Sequence, residues 1–426
     1  MASRAIAWER VESPLWPIAG VMLRPLHLAL AFPSVLYVGA MTVFLFRPPD
    51  LFSFYIDRIA FGVLVFFVAL RAMAMRQRIP FFCSLSVPML GLMGLAVLRV
   101  LREPFDAQAW SIIASKYIVP FSLFHIAVLV FRGPAQRRHF EIFVVLALSY
   151  LVFIAIAFLV DARSLIFPRF ILDESMGFHP DRARGPFLQA VANGVSLNVL
   201  GIVAFVLPTR HRGLLWGIWA ALPLAILATM TRAVWISFTL STLAVGFLLA
   251  RRRLQAICVV LLIVGLLCGL ALGFSDHSLR RAFWDRTEER GPVEARMAVY
   301  GAAWAMFRER PFTGWTVGSM YQELARRMDG YHLHIYYVHN TYLALLVEFG
   351  APGLALYAVL FLNLLRLSRC GPPGERGSIA TLRKVWPVLL GVYLLNALFV
   401  DMAYQFVIGL LFTLAGMLCA PEESLA

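Results

Sequence analysis

Charge is what this chain has least of. Only 15% of its 426 residues are Asp, Glu, Lys or Arg, where a soluble domain carries about 25%. With 61% hydrophobic residues and a mean hydropathy of +0.77, a soluble globular protein is excluded as the default and a polytopic membrane protein takes its place. Cysteine is scarce as well: Cys83, Cys258, Cys268, Cys370 and Cys419 lie in or beside apolar runs, and none forms a CxxC pair. Neither a disulfide framework nor a zinc site is implied. No Asp-x-Asp sequence is present to hold a divalent ion on a nucleotide sugar, and His332, His334 and His339 have no carboxylate at a zinc spacing. Neither metal nor cofactor is expected. The first 26 residues lack a long apolar core and hold Pro14, Pro17 and Pro25, so no cleavable leader is expected and the first apolar run should be an uncleaved span. No internal repeat is visible, which gives no support to a transporter built from inverted repeats.

Long apolar runs are there in number. A membrane helix needs about 20 mostly apolar residues. Twelve stretches qualify: 27–46, 52–70, 80–98, 110–131, 140–160, 188–208, 213–230, 233–250, 254–274, 340–365, 385–400 and 403–420. The expected fold class is therefore an all-α polytopic membrane protein of about twelve transmembrane helices. Lys and Arg in the connecting loops set its orientation. With a cytoplasmic N-terminus, one side receives Arg71, Arg76 and Arg78, then Arg132, Arg137 and Arg138. It also receives Arg251, Arg252 and Arg253, and finally Arg366, Arg369, Arg376, Arg383 and Lys384. The formal net charge of +14 is then a topology signal, and no nucleic-acid partner is expected. Both termini are expected inside. Residues 1–274 form the first nine spans, with a first outer loop near 161–187. A large outer loop covers 275–339, and 340–426 form the last three spans. From Glu294 to Arg310 the apolar residues recur every three or four positions, an amphipathic helix ended by Pro311, and Val317 to Met328 can form a second.

The outer side collects the unusual residues. His339 sits where the polar loop enters the apolar run that continues to Leu365. Imidazole exchanges a proton near neutral pH and is a candidate general base there; a hydrogen-bonded, inert histidine at a helix start is the alternative. Arg184, in Arg184-Gly185-Pro186-Phe187, ends the first outer loop. Arg232 is pinned at the membrane mouth in Thr229-Met230-Thr231-Arg232 with almost no loop to carry it away. The planar guanidinium fork suits a diphosphate; snorkelling to lipid phosphate is the alternative for both. Asp401, at the outer turn between the last two spans, can orient a base or bind a sugar hydroxyl, or serve the turn alone. Lys116, inside the fourth span, is expected to face the bundle.

Four stretches together resemble the bacterial O-antigen ligase family, within the group that also holds O-antigen polymerases and protein O-oligosaccharyltransferases. They are Arg184-Gly185-Pro186-Phe187 leading to Asn193, Thr231-Arg232-Ala233-Val234-Trp235, the block from Arg296 to Arg310-Pro311-Phe312-Thr313-Gly314-Trp315, and His339-Asn340 through Gly350-Ala351-Pro352-Gly353. The resemblance implies a GT-C-like bundle with a large, partly helical periplasmic loop, in the bacterial inner membrane. It implies a metal-independent, inverting glycosyltransferase acting at the periplasmic face. Its partners would be an undecaprenyl-diphosphate-linked glycan donor, a lipid A–core acceptor and the lipid bilayer. On that resemblance His339 is the base or the group orienting the acceptor hydroxyl. Arg184, Arg232 and Arg296 hold the diphosphate, and Asn193, Asn340, Tyr342 and Asp401 support the site. The stretch after Arg184 is less glycine-rich than the family pattern, which leaves the role of Asn193 open. A polymerase or protein-modifying enzyme would share this chemistry and differ in acceptor. A lipid-linked glycan transporter would need ionisable residues deep in several spans and polar character on both faces.

Overall fold

A computed structural model describes residues 32–46, 56–76, 83–207, 212–249, 291–328, 337–372 and 377–421. Among them are fourteen α-helices and no strand. The first six are α1 (Pro33–Leu45), α2 (Ile56–Ala74), α3 (Ser86–Val100), α4 (Ala107–Ile113), α5 (Val119–Val130) and α6 (Pro134–Leu159). After the first outer loop come α7 (Ala190–Val206), α8 (Arg212–Leu227) and α9 (Arg232–Leu248). The outer-loop helices are α10 (Gly291–Glu309) and α11 (Val317–Arg326), and the chain returns with α12 (Thr341–Arg366), α13 (Ser378–Ala397) and α14 (Gln405–Cys419).

Among the described residues, four segments are long and apolar enough to cross a membrane: Ala107–Val130, α6, α12 and α13. Six more helices are apolar but 10–17 residues long. The all-helical class is thus present, with fewer full-length crossings among the described residues than the twelve expected. The expected span 254–274 lies outside the described residues, as do His332 and His334. The two loop helices form where the apolar periodicity places them.

The bundle is held by close approach and by polar contacts between helices, the two devices open to helices in lipid. On α14, a Cβ at Gly416 would sit 2.5 Å from the Phe124 carbonyl of α5, so the glycine lets the two backbones touch. The Tyr37 hydroxyl of α1 donates to the Leu123 carbonyl (3.1 Å) and shares a hydrogen with Thr413 on α14 (2.7 Å). Asn396 of α13 donates to Ser237 of α9 (3.0 Å), and Ser241 donates to Asn198 of α7 (3.0 Å).

Two irregularities shape the region of interest. Proline at 120 has no N–H to give the carbonyl four residues back, that of Lys116. There the helix between α4 and α5 opens into a π-turn, Ala114–Ile118. In α12, Gly350 has φ 70° and ψ −167°, a conformation essentially reserved for glycine. The expected continuous run is therefore two helical segments joined at a kink. The turn Pro311–Trp315 docks against that kink backbone to backbone: Ala351 N–H donates to the Pro311 carbonyl and Trp315 N–H to the Val347 carbonyl, both at 2.7 Å. Gly314 makes the approach possible, since a Cβ there would sit 2.5 Å from the Glu348 carbonyl oxygen.

Candidate active site

The site is built from the first residues of α12. Asn340 caps the helix, its side-chain oxygen accepting from Leu343 N–H (3.0 Å), while its amide donates to the Leu398 carbonyl (3.2 Å). The Thr341 hydroxyl donates to the Val400 carbonyl and accepts from Met402 N–H, both at 2.9 Å. The Tyr342 hydroxyl donates to the Leu394 carbonyl (2.9 Å). Three consecutive side chains thus clamp the end of α13 and the turn after it. Thr341 grips the backbone on either side of Asp401, which brings that carboxylate to the same end of the bundle as His339.

The large loop supplies the other wall. The Tyr300 hydroxyl of α10 donates to the His339 carbonyl (2.9 Å). Arg296 lies four residues earlier on α10, hence on the same helical face, and its side chain is exposed. Burial and the neighbouring Arg296 guanidinium hold the His339 imidazole below its ordinary value of 6.5, while Asp401 pulls the other way. His339 is therefore neutral at pH 7, the state a proton acceptor requires.

Beneath His339 lies a buried ion cluster. The Lys116 ammonium, aimed from the π-turn, donates to both oxygens of Glu348 (3.1 Å each) and to Oδ2 of Asp401 (3.3 Å). The Tyr117 hydroxyl donates to Glu348 at 3.3 Å. Glu348 is fully buried and Lys116 is 5% exposed. An unpaired charge at such a place costs several kcal/mol, and here all three ammonium protons have acceptors. Oδ1 of Asp401 is buried and has no hydrogen-bond partner among the described residues. Tyr321 of α11 lies within electrostatic reach of the cluster, its phenol pushed above its ordinary range by burial and by the two carboxylates. An aromatic-walled cavity beside Lys116, lined by Tyr117, Phe121, Tyr357, Phe361 and Tyr393, holds about 20 Å³. That is room for one water and too little for an isoprenoid chain.

The arginines separate. Arg232 is the first residue of α9, exposed, with no hydrogen bond or ion pair among the described residues. Ser237, one turn and a half on, meets α13 at Asn396, two residues from the Leu394 carbonyl that Tyr342 holds, so the starts of α9 and α12 flank one stretch of α13. Arg184 is arranged otherwise. It is fully buried, and its guanidinium donates to the carbonyls of Ile171 (2.9 Å), Asp173 and Met176. The fork expected to grip a diphosphate is spent on folding the first outer loop, which corrects the expectation for this residue. Asn193 likewise serves that loop: its amide donates to the Ala183 carbonyl (2.8 Å), and Ala183 N–H bonds the Ala228 carbonyl (3.0 Å) just before the Arg232 turn. The ring of Phe178, in the same loop, lies 6.2 Å from that of Tyr337, next to His339. The loop is near the site without sending Arg184 into it.

Sequence reasoning missed Glu348 and Thr341. The signal for Glu348 was available: one carboxylate inside the apolar run 341–365 and one lysine inside another span are natural partners.

The chain matches no curated protein. Residues 216–358, which carry Arg232, Arg296, His339 and Glu348, match the family model for O-antigen ligase.

Proposed function

We propose that the protein is an O-antigen ligase. It moves a glycan from undecaprenyl diphosphate to a sugar hydroxyl of lipid A–core oligosaccharide, by inverting transfer without a metal. The reaction takes place at the periplasmic face of a bacterial inner membrane, with both protein termini in the cytoplasm. The observation that carries this reading is the setting of His339: a half-buried residue at the start of α12, its carbonyl held by Tyr300 of α10, with the Arg296 guanidinium and the Asp401 carboxylate both within electrostatic reach of its imidazole. The family match adds the reaction class, and the arginine-rich loops on the opposite side add the orientation.

In the step itself, His339 takes the proton of the acceptor hydroxyl as its oxygen attacks the anomeric carbon. The bond from that carbon to the diphosphate oxygen breaks, and the diphosphate leaves with the electron pair. Arg232 and Arg296, both exposed, neutralise the charge that develops on it. The Asp401 carboxylate stabilises the imidazolium that forms.

Replacement of His339 tests the assignment. His339→Ala should lower transfer by about 10²–10⁴-fold, the usual contribution of a positioned base, while the protein remains inserted and folded. Full activity in that variant would remove His339 from the role.

A further inference from the structure

We propose that Lys116 and Glu348 are positioning residues for this reaction, and that Glu348 engages the Lys116 ammonium so that Asp401 keeps its charge for His339. The inference rests on the assignment of His339 as base and concerns two buried residues that never meet substrate.

Three observations point to it. The first is stoichiometric: one ammonium serves two carboxylates, at 3.1 Å to Glu348 and 3.3 Å to Asp401. With all three groups ionised the cluster holds one negative charge in excess, and water does not reach Glu348 to screen it. The second is directional. Lys116 offers two of its protons to Glu348 and one to Asp401, and Tyr117 adds a further donor to Glu348. Glu348 is thereby compensated within the cluster, and the uncompensated charge falls on Asp401. The third is the orphaned atom. Oδ1 of Asp401 is buried without a partner among the described residues, on a turn whose backbone Thr341 fixes from both sides. A buried carboxylate oxygen left unpaired is costly unless a donor arrives during function. The cation formed when His339 takes a proton supplies that need. Hydrogen bonds of this kind are often long in the unliganded enzyme and tighten in the reacting complex.

The charge count makes an unusual prediction about pairs of variants. Glu348→Gln keeps the shape but leaves the full lysine charge on Asp401. It should lower kcat on the order of 10–100-fold, the size typical of a group acting through the residue it orients, with KM little changed. Lys116→Gln combined with Glu348→Gln removes one charge of each sign and leaves the negative charge of Asp401, on the turn between α13 and α14, undiminished for His339. The double variant should therefore be more active than Glu348→Gln alone. Added to Asp401→Asn, Glu348→Gln should cost nothing further in kcat, because residues acting as a unit are not additive, although it lowers the melting temperature by leaving the Lys116 ammonium without a carboxylate.

The experiment is steady-state transfer by the full-length protein in detergent or liposomes, with insertion and melting temperature measured for each variant. Recovery in the double variant together with non-additivity in the Asp401→Asn background is the expected result. Normal kcat in folded Glu348→Gln, or a double variant no better than that single one, overturns the proposal. If His339→Ala and Asp401→Asn are themselves fully active, the assignment of the site fails instead, so the two failures are distinguishable. A merely structural pair would give additive losses of kcat that follow the losses of melting temperature.

Discussion

At the scale of single residues, the account turns on how neighbours set the proton affinity of His339. Burial and Arg296 both disfavour the imidazolium, and Asp401 favours it. A base must be neutral to act, so activity is lost as pH falls through its pKa. That acid limb should lie below the ordinary histidine value of 6.5. Removing the guanidinium with Arg296→Gln stabilises the protonated form, raises the pKa and moves the limb to higher pH. The measurement is a pH profile of kcat/KM for both proteins; an unmoved limb would mean that Arg296 does not face the imidazole. Arg184 shows how far a residue type can mislead. An arginine at the start of a span reads as an anion ligand, yet three backbone carbonyls from a loop that curls over it occupy its donors. Those carbonyls lie 8–13 residues away in the chain, and no local pattern announces their return.

At the scale of elements, the docking of the large loop onto α12 matters most. Pro311–Trp315 and the Gly350 kink meet through main-chain atoms, with Gly314 and Gly350 both at positive φ. A methyl group at 350 would lie 2.4 Å from the Pro311 carbonyl oxygen. Gly350→Ala should therefore cost about 1–3 kcal/mol, the usual penalty for forcing atoms into a packed contact. The expected signs are a lower melting temperature and faster proteolysis within residues 291–328; unchanged values of both would show that the contact is not rigid. The amphipathic helix α10 and its stop at Pro311 were legible in the sequence because periodicity and proline are local signals. The kink was not, since a glycine in an apolar run reads as an ordinary membrane residue until its neighbour is known. The π-turn at Lys116 was equally hidden. Pro120 warned of a distortion there but not of its direction, and the direction is what aims the ammonium at Glu348.

At the scale of the molecule, composition alone placed the chain among helical membrane proteins, because 61% hydrophobic residues cannot be kept from water in a fold of this size without lipid. That His339, Arg232, Arg296 and Asp401 share one side was an expectation from counting spans. The approach of the start of α12 to the Asp401 turn was not legible, because it depends on Asn340, Thr341 and Tyr342 tying that helix start to residues some 60 positions away. The central claim is glycan transfer from a lipid diphosphate to lipid A–core, and one measurement meets it directly. Purified full-length protein is given undecaprenyl-diphosphate glycan with lipid A–core, with a second lipid-linked glycan, or with an acceptor protein, each with and without a chelator. The account predicts product on lipid A–core alone, undiminished by the chelator. Product on either other acceptor in place of lipid A–core, or loss of transfer with the chelator, would contradict it.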